Sequence, residues 1–463
     1  MTPELRRLSL WWSPVAAALL SILMSSFGWP PAGALTAGLT LLCALWWVFE
    51  PIPIPATSMI PLGVFPLLGI LDGQQVALAY GDPLIILLMG GAMLSKAMEK
   101  SGAHRRLALY MVNLFGAQDQ RRLVFGFMVA SAVLSMWVSN TATTLMLLPV
   151  AYAVLDSANS SDAAKKLAVP LFLGIAYAAS IGGLGTPIGS PPNVVFLKIY
   201  SEATGQMPGF GQWMMWALPV VILMVPLAGI WITRGLGQSS GLQIPQVGRW
   251  RTEEVRVLFV FGLTALAWVT LREPLGGWSS WFNVPSANYA AVALTAVVLM
   301  FVCPNGSGGK LLDWESASSI HWGVLLLFAG GIAIAKAFAI NGISAAIGDQ
   351  LSGVTRLSIF ALILVVSLSV TFLTEITSNT ATTTLLMPIL AAAALGAGIE
   401  PAILMLPAAL SASCAFMLPV ATAPNAIVFG TGRLSVEQMV REGFALNLIG
   451  AMLITAVVYF WLA

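Results

Sequence analysis

The sequence predicts an all-α polytopic membrane protein built from an inverted repeat, with about 11 transmembrane helices, two re-entrant hairpins and two broken helices. Three observations predict this class. The 463 residues are 58% hydrophobic and 9% charged, against roughly 25% charged in a typical soluble domain. Repeated apolar stretches approach or exceed the roughly 20 residues that a helix needs to cross a bilayer. The polar hexamer Ser-Asn-Thr-Ala-Thr-Thr occurs twice, at 139–144 and at 378–383.

Eleven apolar stretches are expected to span the membrane because their length and hydropathy fit the hydrocarbon core. They lie at about 12–28, 32–49, 56–72, 84–103, 167–203, 209–233, 255–272, 286–303, 318–340, 400–431 and 443–462. Two further segments, 123–155 and 357–394, carry the hexamers near their middles, where a spanning helix would carry Leu. Non-helical backbone is tolerated at membrane depth only where it is buried in protein or lines a wet cavity. We therefore expect two re-entrant hairpins whose polar tips meet at a binding site.

Basic residues test this layout without using the hexamers. With a cytoplasmic N-terminus, only Arg272 and Arg356 lie outside, and fifteen basic residues lie inside, as the positive-inside rule requires. The fifteen are Arg6, Arg7, Arg105, Arg106, Arg121, Arg122, Lys165, Lys166, Arg234, Arg249, Arg251, Arg256, Lys310, Arg433 and Arg441. The first hairpin then enters from the cytoplasm and the second from outside. We expect a multi-pass protein of the cell inner (cytoplasmic) membrane.

A second pair of motifs follows the hexamers. Residues 185–193 (Gly-Thr-Pro-Ile-Gly-Ser-Pro-Pro-Asn) match residues 417–425 (Met-Leu-Pro-Val-Ala-Thr-Ala-Pro-Asn), and each motif lies inside a predicted span. Proline removes a helix hydrogen bond and clashes one turn back, so each span is expected to break into two half-helices. Hairpin followed by broken helix thus occurs twice in opposite orientations, the pattern of inverted-repeat secondary transporters.

The repeat divides the chain into four parts. A first span at 1–31 stands outside the repeat, and a cytoplasmic connector at 234–254 joins the two copies. The first copy covers 32–233, with hairpin 123–155 and broken helix 167–203; the second covers 255–463, with hairpin 357–394 and broken helix 400–431.

The four interrupted segments suit an anion together with sodium. Half-helices that begin at the membrane centre direct unpaired N–H groups and the positive ends of their dipoles at one cavity. The same segments offer neutral oxygen ligands, which fit a monovalent hard cation such as sodium. These ligands are the hydroxyls of Ser135, Ser139, Thr374, Thr377 and Ser378, the amide oxygens of Asn140 and Asn379, and the carbonyls near Gly189 and Ala421. The alternative is that the Ser, Asn and Thr side chains only cap helices.

Other chemistry is disfavoured. An enzyme would need a nucleophile with a base, or metal ligands, within the bilayer, and His104 and His321 match no metal-ligand spacing. A channel usually assembles its re-entrant loops around a symmetry axis, whereas here both lie in one chain. Glu375 is the intramembrane acid of the second hairpin, and its counterpart in the first copy is Met136. This asymmetry favours a structural role, in which Glu375 hydrogen-bonds the hairpin to its surroundings.

On these motifs the sequence resembles the divalent anion/sodium symporter family, over nearly its whole length. The resemblance implies a homodimer with a scaffold region and a mobile transport region that moves as an elevator. It implies two sodium sites, formed by Ser135, Ser139, Asn140 and Gly189 and by Thr374, Thr377, Asn379 and Ala421. It places the substrate on Asn140, Thr141, Ser190, Asn379, Thr380 and Thr422. One departure is Ala423, where relatives often carry proline.

Taken together, residues and resemblance predict sodium-coupled import of a C4-dicarboxylate such as succinate, fumarate or malate. Sodium is the expected coupling ion, and no organic cofactor, enzymatic activity or nucleic-acid partner is expected. The alternatives are sodium-independent dicarboxylate exchange, or transport of sulfate or citrate on the same frame.

Overall fold

The computed structural model describes residues 3–116, 118–157, 161–237, 242–273, 275–351 and 358–462. Within these ranges it consists of helices and connecting segments and contains no β-strand. Eight described helices are long and apolar enough to cross a membrane by length and composition. The predicted class of a multi-pass all-α membrane protein is therefore confirmed, whereas the count of about 11 spans is not. Arg356, predicted to lie outside, falls outside the described residues.

The described residues form 23 helices, numbered in chain order. Those up to residue 237 are α1 Pro3–Ser26, α2 Pro31–Phe49, α3 Ile54–Thr57, α4 Ile60–Leu67, α5 Gly73–Tyr80, α6 Pro83–Ser101, α7 Ala103–Phe115, α8 Gln120–Ser135, α9 Asn140–Asp156, α10 Ser161–Gly182, α11 Pro191–Thr204 and α12 Phe210–Ile232. Those after residue 241 are α13 Thr252–Val269, α14 Trp278–Trp281, α15 Tyr289–Val302, α16 Trp314–Ser318, α17 Trp322–Ile340, α18 Ile343–Leu351, α19 Ile359–Thr374, α20 Asn379–Gly396, α21 Ala402–Ala412, α22 Ala423–Phe429 and α23 Val436–Leu462.

The stretch predicted to span the membrane at 56–72 is not one continuous helix. Residues 53–66 carry four prolines, and the backbone there forms the short helices α3 and α4 instead of one long helix. Each proline lacks the N–H that would continue the hydrogen-bond ladder, which explains the interruption. The stretch predicted at 286–303 is helical only over the 14 residues of α15. At 1.5 Å per residue, α15 is about 21 Å long, shorter than a typical hydrocarbon core.

Both hexamers and both Pro-Asn motifs lie where helices are interrupted. Residues 136–139 join α8 to α9, and residues 375–378 join α19 to α20. Residues 183–190 separate α10 from α11, and residues 413–422 separate α21 from α22. The opposite orientation of the two copies in a membrane remains a prediction.

The helices pack as two groups. One group, here called the framework helices, includes α2, α5, α6, α13, α15 and α17; the other, the site helices, comprises α8–α12 and α19–α23. The groups meet where α17 contacts α11 and α20, where α2 contacts α20 and where α13 contacts α12. At Gly331 of α17, a Cβ atom would clash with Thr384 Cγ2 on α20. A bare backbone at this position is what allows the two groups to approach so closely.

The connector before α13 is fastened to α7, which leads into α8. Glu254 is 2% exposed, and its carboxylate lies 2.7 Å from Arg106 Nε and accepts a hydrogen bond from the Arg251 backbone N–H at 2.7 Å. The Arg106 guanidinium also lies 5.1 Å from the centre of the Trp250 ring. Because a buried carboxylate without partners would be strongly destabilising, these contacts fix the connector to the base of the first hairpin.

Candidate functional site

The serines of the two hexamers cap the helices that follow them. Ser139 has extended backbone angles, and its Oγ accepts a hydrogen bond from the Ala142 N–H at 3.2 Å. Ser378 does the same in the second copy, accepting from the Ala381 N–H at 3.5 Å. Each serine therefore satisfies one N–H group at the start of a helix, and the asparagine after it is the first residue of that helix.

The asparagines are held from behind by the hydroxyls that lie five residues earlier. Ser135 Oγ donates to Asn140 Oδ1, and Thr374 Oγ1 donates to Asn379 Oδ1 at 2.6 Å. Ser135 and Thr374 are fully buried. The hydroxyl one turn before each serine thus fixes the orientation of the neighbouring asparagine amide and leaves the other lone pair of Oδ1 for a further contact.

The four interruptions meet at one cavity of about 470 Å³. All six predicted substrate residues line it, together with five of the eight predicted sodium ligands. The lining residues in question are Ser139, Asn140, Thr141, Gly189, Ser190, Asn379, Thr380, Ala421 and Thr422. Ser135, Thr374 and Thr377 are not part of the lining. Two copies of the hexamer, far apart in the chain, therefore face a common space large enough for a small dianion.

Several predicted ligands are already engaged. Thr377 Oγ1 donates to the Leu373 carbonyl at 2.8 Å and lies 2.6 Å from Thr382 Oγ1. Ser190 is 3% exposed, and its Oγ lies 3.0 Å from Ser413 Oγ, which links the two broken helices. Thr422 caps α22 by accepting from the Asn425 N–H at 3.2 Å. A ligand that used these hydroxyls would share them with existing hydrogen bonds.

The first hairpin packs closely against the first broken helix at Gly183. A Cβ atom on Gly183 would lie 2.8 Å from Asn140 Oδ1, 3.1 Å from Asn140 Nδ2 and 3.1 Å from the Gly189 carbonyl oxygen. The Asn140 amide and the Gly189 carbonyl, both predicted to bind sodium, therefore lie close to the Gly183 backbone. Among the described residues, no group of three or more His, Cys, Asp or Glu could hold a metal ion. Neutral oxygens suit a monovalent hard cation better than a divalent one.

Glu375 holds the second hairpin to the second broken helix. Its carboxylate accepts hydrogen bonds from the Met417 N–H at 2.9 Å, the Leu418 N–H at 3.0 Å and the Asn447 amide at 2.7 Å. Glu375 is buried. The structural role predicted for this acid, which was to hydrogen-bond the hairpin to its surroundings, agrees with these contacts.

The first copy makes the equivalent link without a charge. Thr186 Oγ1 donates to the backbone carbonyl of Met136, the residue that corresponds to Glu375. Thr186 corresponds to Leu418, which has no hydroxyl, and in the second copy the Glu375 carboxylate makes the link by accepting hydrogen bonds from two backbone N–H groups of the broken helix. The two copies therefore differ at Met136 and Glu375 because each uses different groups to hold its hairpin to its broken helix.

The cavity wall also contains residues that the sequence did not single out. Lys96 and Glu99 of α6 form an ion pair at 2.8 Å and line the cavity together with Ser95, Trp137 and His321. His321 matches no metal-ligand spacing in the sequence, yet it lines this cavity. The sequence does indicate a role for Lys96 and Glu99, because they are charged residues one turn apart within an apolar helix. Charged residues inside a membrane usually face a cavity.

Known proteins provide both a family and a fold. Residues 8–463 match the family model described as the sodium:sulfate symporter transmembrane region. The sodium-dependent dicarboxylate transporter SdcS of Staphylococcus saprophyticus is 38% identical over 468 residues, which cover 96% of this chain and 89% of that protein. The SdcS protein of Staphylococcus aureus strain bovine RF122 / ET3-1 is 38% identical over 452 residues, covering 93% and 86%.

Two solved structures share the fold. The Alcanivorax borkumensis YdaH transporter superimposes with a TM-score of 0.61 at 15% identity, over 93% of this chain and 99% of that one. Neisseria gonorrhoeae MtrF superimposes with a TM-score of 0.56 at 14% identity, over 86% and 84%. At such low identity these likenesses concern the arrangement of helices alone.

Proposed function

The chain belongs to the divalent anion/sodium symporter family, and from this membership we propose that it imports a C4-dicarboxylate, such as succinate, fumarate or malate, together with sodium. The observation that carries the proposal is the pair of Ser-Asn-Thr tips that line one cavity. Relatives named as sodium-dependent dicarboxylate transporters support the ion and the substrate class. The protein is not an enzyme, in keeping with its family.

In this proposal, two matched Asn-Thr pairs receive the two carboxylate ends of the substrate. Asn140 and Thr141 would meet one carboxylate, and Asn379 and Thr380 the other, with Ser190 and Thr422 beside them. The helices α9, α11 and α20 begin at the cavity, so their positive ends favour the dianion. Sodium ions beside the dianion would offset its desolvation. One would use Ser135, Ser139, Asn140 and Gly189, and the other Thr374, Thr377, Asn379 and Ala421.

Uptake by purified protein in proteoliposomes tests the coupling. We expect succinate uptake driven by an inward sodium gradient to exceed uptake in choline at least tenfold, because the bound cations offset the charge of the substrate. Equal succinate flux without sodium would contradict symport and favour the exchanger alternative. A thermal-shift screen against di- and tricarboxylates and sulfate, in sodium or choline, separates C4-dicarboxylates from sulfate or citrate, since a ligand stabilises the fold that binds it.

The proposal includes an elevator movement of the site helices against the framework helices, within a homodimer. The ends of α6 and α17 that line the cavity carry Lys96, Glu99 and His321, and the predicted topology places them at the cytoplasmic side. The described conformation would then be open to the cytoplasm. The N-terminus would also be cytoplasmic, and the location would be the inner membrane.

One ion pair joins the two groups at the far end of α6. Asp82 Oδ2 lies 2.7 Å from Lys198 Nζ, which joins the framework helix α6 to the site helix α11. Asp82 is buried and also caps α6 through the Leu84 N–H at 2.9 Å. An elevator movement would have to break this pair, so the pair stabilises the described conformation relative to the opposite one.

Asp82→Asn is therefore expected to shift the protein away from the described conformation. The measurement is the rate at which a membrane-impermeant thiol reagent labels a cysteine at Val420, which lines the cavity and is 81% exposed. We expect labelling from the cytoplasmic side to slow severalfold. The matched control is Asp313→Asn, because Asp313 pairs with Lys100 of the same helix α6 and immediately precedes α16, which packs against α6. Equal labelling in Asp82→Asn and in the unmodified background would contradict the proposed role of the pair.

A further inference from the structure

Asn193 and Asn425 occupy equivalent positions in the two broken helices. Asn193 is the third residue of α11 and Asn425 is the third residue of α22. Both side chains are 0% exposed. In the sequence they are the last residues of the two matched Pro-Asn motifs.

Each asparagine ties together the backbone of the unwound stretch that precedes it. Asn193 Nδ2 donates to the Gly183 carbonyl at 2.9 Å and to the Thr186 carbonyl at 2.7 Å. These carbonyls lie ten and seven residues earlier in the chain. An amide nitrogen has two hydrogens, so Asn193 uses its full donor capacity on the break.

Asn425 repeats this pattern with the same spacing. Its Nδ2 donates to the Ala415 carbonyl at 3.1 Å and to the Leu418 carbonyl at 3.0 Å, again ten and seven residues earlier. Because all four partners are carbonyls, which only accept, the nitrogen of each amide must face the break. Two copies with different surrounding residues thus keep one hydrogen-bonding arrangement.

The tied backbone lies directly against the proposed cation ligands. Gly183, held by Asn193, is the residue whose Cβ would lie 2.8 Å from Asn140 Oδ1 and 3.1 Å from the Gly189 carbonyl. A Cβ on Gly189 would lie 2.6 Å from the Gly183 carbonyl oxygen, so the two ends of the break are in close contact. A shift of Gly183 would therefore disturb the packing of both the Gly189 carbonyl and the Asn140 amide.

We propose that Asn193 and Asn425 are positioning residues for sodium, each of which holds an unwound segment so that its carbonyl near Gly189 or Ala421 is placed for the ion. This inference rests on the proposed function. Neither asparagine lines the cavity, so each acts through the backbone that it ties. A ligand shell works only when its supporting hydrogen bonds fix it within a fraction of an ångström.

The test measures sodium binding apart from transport. The melting temperature of purified protein is recorded against sodium concentration without substrate, at constant ionic strength with choline. In Asn193→Leu, which keeps the volume but removes both donors, we expect the half-saturating sodium concentration to rise at least tenfold. Asn193→Ser, which keeps one donor, should give an intermediate rise, and Asn425→Leu should reproduce the effect in the second copy.

The matched control is Asn341→Leu. Asn341 also donates to a backbone carbonyl, that of Ala337 at 2.9 Å, but it lies at the end of α17, away from both breaks. Its substitution should lower the melting temperature without moving the sodium dependence.

Three outcomes separate the inference from the proposed function. Unchanged half-saturating sodium in folded Asn193→Leu and Asn425→Leu would overturn the positioning role. If the leucine variants do not fold, an unchanged value in Asn193→Ser overturns it instead. If the unmodified protein shows no sodium-dependent stabilisation, the sodium coupling of the proposed function fails, and the positioning role fails with it.

Discussion

Replacing Asn140 or Asn379 by alanine is expected to abolish sodium-driven succinate uptake, with a loss of at least 100-fold, while the protein remains folded. Each asparagine lines the cavity and is oriented by a buried hydroxyl, from Ser135 or Thr374. Alanine removes both the cavity-facing amide and the acceptor of that hydroxyl. Uptake in proteoliposomes gives the activity, and gel filtration with a melting curve establishes the fold.

The control for this pair is Asn113→Ala. Asn113 donates to the Leu109 carbonyl at 2.8 Å on α7 and does not line the cavity. We expect uptake by this variant to stay within about twofold of the unmodified protein. Robust uptake by Asn140→Ala or Asn379→Ala would show that the hexamers serve only to cap helices, and the proposed binding site would fail.

Replacing Glu375 by leucine is expected to destabilise the fold by about 3 kcal/mol or more, because three buried donors lose their acceptor and each costs roughly 1–3 kcal/mol when unsatisfied. The donors are the N–H groups of Met417 and Leu418 and the amide of Asn447. The loss of stability in Glu375→Gln should be smaller than in Glu375→Leu, since one carboxamide oxygen can still accept a hydrogen bond. Thermal unfolding of purified protein without ligand measures the effect.

Met136→Leu provides the comparison for Glu375. Met136 holds the equivalent position in the first hairpin, but it contributes its backbone carbonyl to the link, so its side chain should matter far less. If Glu375→Leu melts like the unmodified protein but no longer transports, Glu375 acts on the transported ions and is not a structural link.

The interruptions could be predicted from the sequence because their causes are local. Proline removes a hydrogen bond wherever it stands, and a serine before asparagine caps a helix without help from distant residues. Both hexamers and both Pro-Asn motifs accordingly fall at helix ends. The repeat supports the prediction further, because a motif that occurs twice in one chain is difficult to explain by local structure alone.

The rest depends on which helices pack together, and spacing in the chain does not contain that information. The contact between Ser190 and Ser413 crosses the two repeats, and the Lys96–Glu99 pair reaches the cavity only because α6 packs beside it. Hydropathy also predicted one spanning helix at 56–72, where the structure has the short helices α3 and α4. The mean hydropathy of an apolar stretch does not show whether prolines interrupt its helix. Helix α7 was missed because its amphipathic pattern lies between two apolar segments.

The close approach at Gly331 bears on which motions the protein can make. Thr384 Cγ2 occupies the space where a Cβ atom on Gly331 would lie, so any larger side chain at position 331 would push α17 and α20 apart. In the proposed elevator movement, Thr384 would have to leave this space as α20 passes α17.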